Sequence, residues 1–155
     1  MELYIFACQH RVPDEWRPPF SPEEISGHRV RLIQLPCSAK LSTVQLLRPF
    51  EKGIGGIIVL ACSESGCRSL EGSRRARLRV LEANNVLDEL GMSGARVLIK
   101  QADERDKMPI IEAVNELSDR IEKLGPSEEV RREKGEGSEQ MEKPGLNPAK
   151  GSIKK

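Results

Sequence analysis

Residues 56–60, Gly56-Ile57-Ile58-Val59-Leu60, form an unbroken apolar run rich in β-branched side chains. A strand with one wet face would alternate. A short continuous run of this kind is a strand covered on both faces, as in a parallel sheet between helices. The rest of the chain agrees. Residues 3–7 form a first apolar run, and residues 30–35 form a second strand stopped by Pro36. Arg96 opens a fourth, ending near Lys100.

The helices lie between these strands. Ser42-Thr43-Val44-Gln45 has capping-box spacing, and a short helix follows to Lys52, closed by Gly53. Ala76, Val80, Ala83, Leu87 and Leu90 form one buried stripe of a longer helix, with Gly91 just past its end. Ile110, Val114, Leu117, Ile121 and Leu124 repeat the stripe in a last helix that Asp106 is placed to cap. Residues 12–27 carry Pro13, Pro18, Pro19 and Pro22 and are no regular interior element. This order predicts an α/β fold: a small doubly wound parallel sheet of four strands, with right-handed crossovers and helices on both faces.

The pattern ends at Pro126. Residues 126–155 hold Glu, Lys and Arg in quantity, with Val130, Met141, Leu146 and Ile153 scattered singly. Too little is apolar there to offset ordering entropy. The domain is expected over residues 1–125, and residues 126–155 are expected to be a charged, disordered tail.

Charge and composition narrow the function. The chain has 25 Lys and Arg against 24 Asp and Glu, so it lacks the basic excess of a nucleic-acid binder. One Trp, one Tyr and three Phe do not make a base-stacking platform. No run is long enough to span a bilayer, and the first residues lack the features of a signal peptide. A cytoplasmic chain is expected. Its four cysteines, Cys8, Cys37, Cys62 and Cys67, are then metal ligands, reactive thiols or core filler rather than disulfides.

Their positions favour the first. Cys8 follows the first strand, Cys37 the second and Cys62 the third, while Cys67 lies in the loop before the long helix. In a parallel sheet all these places lie on the carboxyl edge, where open α/β sheets bind ligands. Any one of them alone reads as a buried core thiol. Four gathered at one edge are what a tetrathiolate site requires, for iron or for zinc. Cys62 and Cys67 are close enough in sequence to reach one metal or cluster, and Gly66 lets the loop turn between them.

Other features compete. Cys62-x5-Arg68-Ser69, between a strand and a helix, is similar to the loop of low-molecular-weight thiol phosphatases and arsenate reductases. Glu64 would there place a carboxylate beside the anion, and no Asp-Pro pair supplies a general acid. Arg68, Arg74, Arg75, Arg77 and Arg79 crowd the start of the long helix. They read first as a solvated face with Glu71 pairing to Arg75, and second as a docking patch or charge compensation for a cluster. His10 and His28 read as ordinary residues, although His10 lies two positions from Cys8. Trp16 and Phe20 are expected to pin the proline-rich loop.

Phe6-Ala7-Cys8, Leu35-Pro36-Cys37-Ser38, the strand at Gly56 running into Cys62-x4-Cys67, and the ending Leu124-Gly125-Pro126 together resemble a known family. It is the iron–sulfur (delta) subunit of methyl-viologen-reducing, F420-non-reducing hydrogenases. The resemblance covers nearly all of residues 1–125. It implies a 2Fe–2S electron-transfer protein, passing electrons between a hydrogenase or other dehydrogenase and a flavin-containing heterodisulfide-reductase-type subunit. The family has a further Cys where this chain has Arg11, His where it has Ser63 and Arg68, and Gly where it has Ala39. Four thiols remain, so Cys8, Cys37, Cys62 and Cys67 are the expected ligands and no catalytic residue is expected. The alternatives are an interaction subunit that is cluster-free or holds zinc, and the thiol phosphatase or reductase.

Overall fold

The computed structural model describes residues 1–17, 19–92, 94–103 and 109–124. Asp106 and residues 126–155, expected as a helix cap and a charged tail, lie outside the described residues.

The architecture is the expected α/β layer fold, with one more strand than the sequence suggests. Strands β1 (Glu2–Cys8), β2 (Glu24–Ile25), β3 (His28–Leu35), β4 (Gly56–Cys62) and β5 (Val97–Ala102) form one sheet in the order β2-β3-β1-β4-β5. β1, β3, β4 and β5 run parallel, and only β2 is antiparallel, against β3. The added strand sits inside the proline-rich stretch. Ser26 and Gly27 both adopt positive φ, 52° and 76°, the backbone of a tight two-residue hairpin turn. That turn folds Glu24 and Ile25 back onto Arg29 and His28. An edge strand two residues long fits among prolines because it needs few ladder bonds.

β4 is buried at every residue. Ile57 and Val59 face one core, with Val80, Ala83 and Leu87 of helix α2 (Gly72–Glu89). Ile58 and Leu60 face the other, with Ala113, Val114 and Leu117 of helix α3 (Ile110–Leu124). This places helices on both faces of the sheet. Helix α1 (Thr43–Leu47) packs beside α2, which its buried Leu46 shares as core. Its capping box forms as expected: Ser42 Oγ accepts from the Gln45 N–H at 3.2 Å, and Gln45 Oε1 accepts from the Ser42 N–H at 2.9 Å. Its continuation, Arg48–Lys52, tightens into a 3-10 helix.

Two stripe residues depart from expectation. Leu90 caps α2 and is 66% exposed, and Leu124 at the end of α3 is also exposed. Both lie at the very end of a helix, where the stripe has run out of core to cover. Trp16 packs on the α3-side core and does pin the proline-rich loop, whereas Phe20 is 74% exposed and pins nothing. Among the described residues no helix is long and apolar enough to cross a membrane.

Candidate metal centre

The strand order creates a switch point. From β1 the chain goes outward to β3 on one side, then returns to β4 on the other. Open α/β sheets bind ligands in the crevice that such a reversal opens at the carboxyl edge. Cys8 is the last residue of β1 and Cys62 the last of β4, so the two thiols flank this crevice. Their Sγ atoms are 3.9 Å apart. Two thiolates on one tetrahedral ion, each about 2.3 Å from it, stand about 3.8 Å apart. The first pair is thus already at a ligating separation.

Cys37 and Cys67 form a second group. Pro36 ends β3, and Cys37 then caps a 3-10 turn at Ser38–Lys40, its Sγ accepting the Ala39 N–H at 3.4 Å. The alanine found where the resembling family has glycine therefore still delivers a backbone hydrogen bond to sulfur. The turn packs on α2, which begins at Gly72. A Cβ on Gly72 would lie 2.6 Å from Cys37 Sγ and 3.3 Å from Cys67 Sγ. Both sulfurs therefore occupy the space that a side chain at this helix start would fill.

The loop between Cys62 and α2 is held at several points. Ser63 N–H bonds to Ala102 O at 2.9 Å, and Ser63 Oγ donates to the Asp103 carboxylate while accepting the Gly66 N–H at 3.0 Å. Ser73, fully buried, donates to Cys62 O and accepts from Gln101 Nε2 at 2.8 Å. These bonds tie the end of β4 to both α2 and β5.

All four cysteines are free, with Cys8 and Cys62 buried and Cys37 and Cys67 half-buried. Burial, with the neighbouring Cys8 thiol, pushes the Cys62 thiol up to about 11, while the Arg11 guanidinium opposes the rise. Among the described residues no three His, Cys, Asp or Glu side chains converge as the ligands of a single ion. The donor set instead stands as one close pair and one pair across Gly72. Soft anionic donors at this spacing suit iron or zinc, and two pairs suit a centre with two metal positions.

The phosphatase-like reading of Cys62-x5-Arg68 gains nothing from this geometry. Cys62 is 5% exposed, its thiol is pushed away from the thiolate form, and it precedes the start of α2 by ten residues. Glu64 is occupied by Arg77 at 2.6 Å. The arginines at the helix start are also largely matched, Arg74 and Arg75 by Glu71 and Arg79 by Glu82, as a solvated face requires. His10 is half-buried, and His28 opens β3, at the opposite end of that strand from Cys37.

Arg11, Gly72 and Ser73 are the residues near the thiols to which the sequence assigned no part in the site. Arg11 is 7% exposed, and its guanidinium donates to the carbonyls of Ala102, at 3.4 Å, and of Asp103. A cation after an apolar strand was visible in the sequence, but its burial was not.

Residues 5–125 match the family described as methyl-viologen-reducing hydrogenase, delta subunit. Over 100 residues, 63% of this chain and 73% of the relative, the sequence is 39% identical to an iron–sulfur subunit of the F420-non-reducing hydrogenase of Methanocaldococcus jannaschii. It is 36% identical over 98 residues to the corresponding subunit of Methanococcus maripaludis, with the same two shares covered. A fainter likeness, 23% over 105 residues, is to a subunit of the ferredoxin:CoB-CoM heterodisulfide reductase of Methanosarcina mazei. It takes in 67% of this chain but only 13% of that much longer protein. A match running from Ile5, within β1, to the end of α3 takes in all but the first three residues of the sheet, both covering layers and all four thiols, and on that extent the chain belongs to the methyl-viologen-reducing hydrogenase delta-subunit family.

Proposed function

We propose that this chain is an electron-transfer subunit of a redox complex, holding a 2Fe–2S cluster on Cys8, Cys37, Cys62 and Cys67. The observation that carries this reading is the paired placement of the thiols, with Cys8 and Cys62 3.9 Å apart and the other two gathered over Gly72. A 2Fe–2S centre takes two thiolates at each iron, whereas one zinc needs all four around a single point. The names of the two methanogen relatives, iron–sulfur subunits of hydrogenases, support the same reading.

Bound there, the cluster supplies one-electron redox chemistry. The chain's own residues do the rest. Cys8 and Cys62 keep one side of the site dry, and Ala39 donates its N–H to Cys37 Sγ. No residue is assigned to acid–base work, and the protein turns over no substrate of its own. Its partners are a hydrogenase or other dehydrogenase on one side and a flavin-containing heterodisulfide-reductase-type subunit on the other, in the cytoplasm. Residues 1–125 form the electron-transfer domain, with the charged segment 126–155 outside it.

Anaerobic production of the full chain tests this. The expected product is brown, with visible absorbance and equal amounts of iron and sulfide. A colourless protein with one zinc per chain would instead support a structural or interaction role. Metal-free phosphatase or arsenate reductase turnover, lost in Cys62→Ser and kept in Cys8→Ser, would replace both readings.

A further inference from the structure

We infer that Arg11 is the built-in counter-charge of the thiolate centre and sets its reduction potential, acting as a positioning residue rather than a ligand. This rests on the metal-centre reading above. Arg11 is buried to nine-tenths, and no carboxylate is within ion-pair reach of it among the described residues. Among the described residues its guanidinium is held by two backbone carbonyls, and its Nε is buried with no hydrogen-bond partner. Guanidinium does not lose its proton in proteins, so Arg11 is a fixed interior cation that no carboxylate among the described residues matches. Asp103 contributes its carbonyl, but its carboxylate is engaged by Ser63.

The place of this cation identifies its partner. Arg11 follows the end of β1 in a turn, its N–H bonded to Cys8 O at 2.7 Å. Ala102, whose carbonyl it holds, stands directly opposite Cys62 in the β4–β5 register. Arg11 thus bridges the edge of the sheet from β1 to β5, with Cys62 between. Four thiolates around either one zinc ion or a 2Fe–2S core leave an excess of negative charge. Arg11 offsets part of it.

Reduction adds one electron, hence one negative charge, with the proton of Arg11 remaining in place. A fixed cation stabilises the reduced form more than the oxidised one. The test uses the full chain, reconstituted anaerobically with iron and sulfide, with Arg11→Gln and Arg11→Lys beside the unaltered protein. Redox titration followed by visible absorbance reads the potential, and titration with Co²⁺ under anaerobic conditions reads metal affinity. Arg11→Gln is expected to lower the potential by about 59 mV, a tenfold change in the one-electron equilibrium. It is also expected to weaken Co²⁺ binding about tenfold. Arg11→Lys, which keeps the charge, should recover most of both.

Equal potentials and equal Co²⁺ affinities in all three loaded proteins would overturn the inference while leaving the metal centre standing. So would two variants that lose thermal stability alike but keep the unaltered potential, since that is the mark of a structural arginine. If Arg11→Gln folds and stays unloaded while Arg11→Lys loads, the inference is upheld; if both fold and stay unloaded, it is overturned. An unaltered protein that takes up neither iron with sulfide nor Co²⁺ overturns the centre itself, and this inference with it.

Discussion

Cys8 and Cys62 end the two strands between which the order of the sheet reverses, and their sulfurs meet 3.9 Å apart across that point. No local sequence signal joins them, for they are separated by 54 positions. The parallel pairing of β1 with β4, Leu3 opposite Gly56 through Ala7 opposite Leu60, is what brings them together.

If this pair holds one metal position, losing either member empties the site. Cys8→Ala and Cys62→Ala are each expected to abolish retention of iron and sulfide, read by chemical analysis after anaerobic reconstitution. Each should cost the metal-free fold only about 1 kcal/mol, seen as a small shift in a denaturation midpoint. A Cys8→Ala protein that keeps a full complement of iron would exclude Cys8 as a ligand.

Gly72 allows a sharper test, because it changes no sulfur. Its missing side chain is the space into which Cys37 and Cys67 project. In Gly72→Ala the new methyl group would stand 2.6 Å from Cys37 Sγ, so that thiol must rotate away. Alanine is a better helix former than glycine by about 1 kcal/mol, so the helix itself should not suffer. The expected outcome is a folded protein, by circular dichroism, with at least about tenfold weaker Co²⁺ binding. Unchanged binding would mean that Cys37 and Cys67 do not act from the positions seen here.

The layers of the fold were legible in the sequence because their signals are local. The apolar run at Gly56, the capping box at Ser42 and the stripe from Ala76 to Leu87 each fix an element on their own, and the structure has all three. The strand count was not legible, because β2 has only two residues and lies among prolines. Its one signal was the Ser26-Gly27 dipeptide, a turn signature that composition concealed. That the thiols lie at one edge followed from strand order alone. What remained hidden was everything carried between distant segments: the division of the thiols into two groups, the void at Gly72 and the burial of Arg11. Such facts depend on register across the sheet, which no window of sequence contains.

Glu116 of α3 receives hydrogen bonds from Lys100 of β5 and from Arg120, one turn further along the helix. The Lys100 hydrogen bond, followed by the attraction of the two cations, holds this carboxyl below the usual range despite some opposing desolvation. A carboxyl whose folded value is depressed adds stability above its unfolded value, near 4.3, and loses it as pH falls through the folded one. All three side chains are about a third exposed, so solvent screening limits the effect to about 1 kcal/mol or less. Glu116→Gln should therefore lower the urea midpoint at pH 7, and the gap to the unaltered protein should close on acidification below pH 4. A gap that persists unchanged into strong acid would assign the loss to packing instead.

Leu70 sits in the loop between Cys67 and α2 with φ at 54°, and its side chain is 84% exposed. The left-handed region costs a residue with a Cβ about 1 to 2 kcal/mol, and here no apolar burial repays it. The backbone needs this conformation to turn from the Cys67 carbonyl, which accepts the Leu70 N–H at 3.0 Å, into the first turn of the helix. Glycine adopts it without the steric cost, at some expense in unfolded-state entropy. Leu70→Gly is accordingly expected to raise stability by about 0.5 to 1 kcal/mol, measured by urea denaturation of the metal-free chain. If the strain serves only to hold the loop, metal uptake should be unchanged in this variant. A Leu70→Gly protein less stable than the original would show that the leucine side chain makes a stabilising contact outweighing the strain of its backbone.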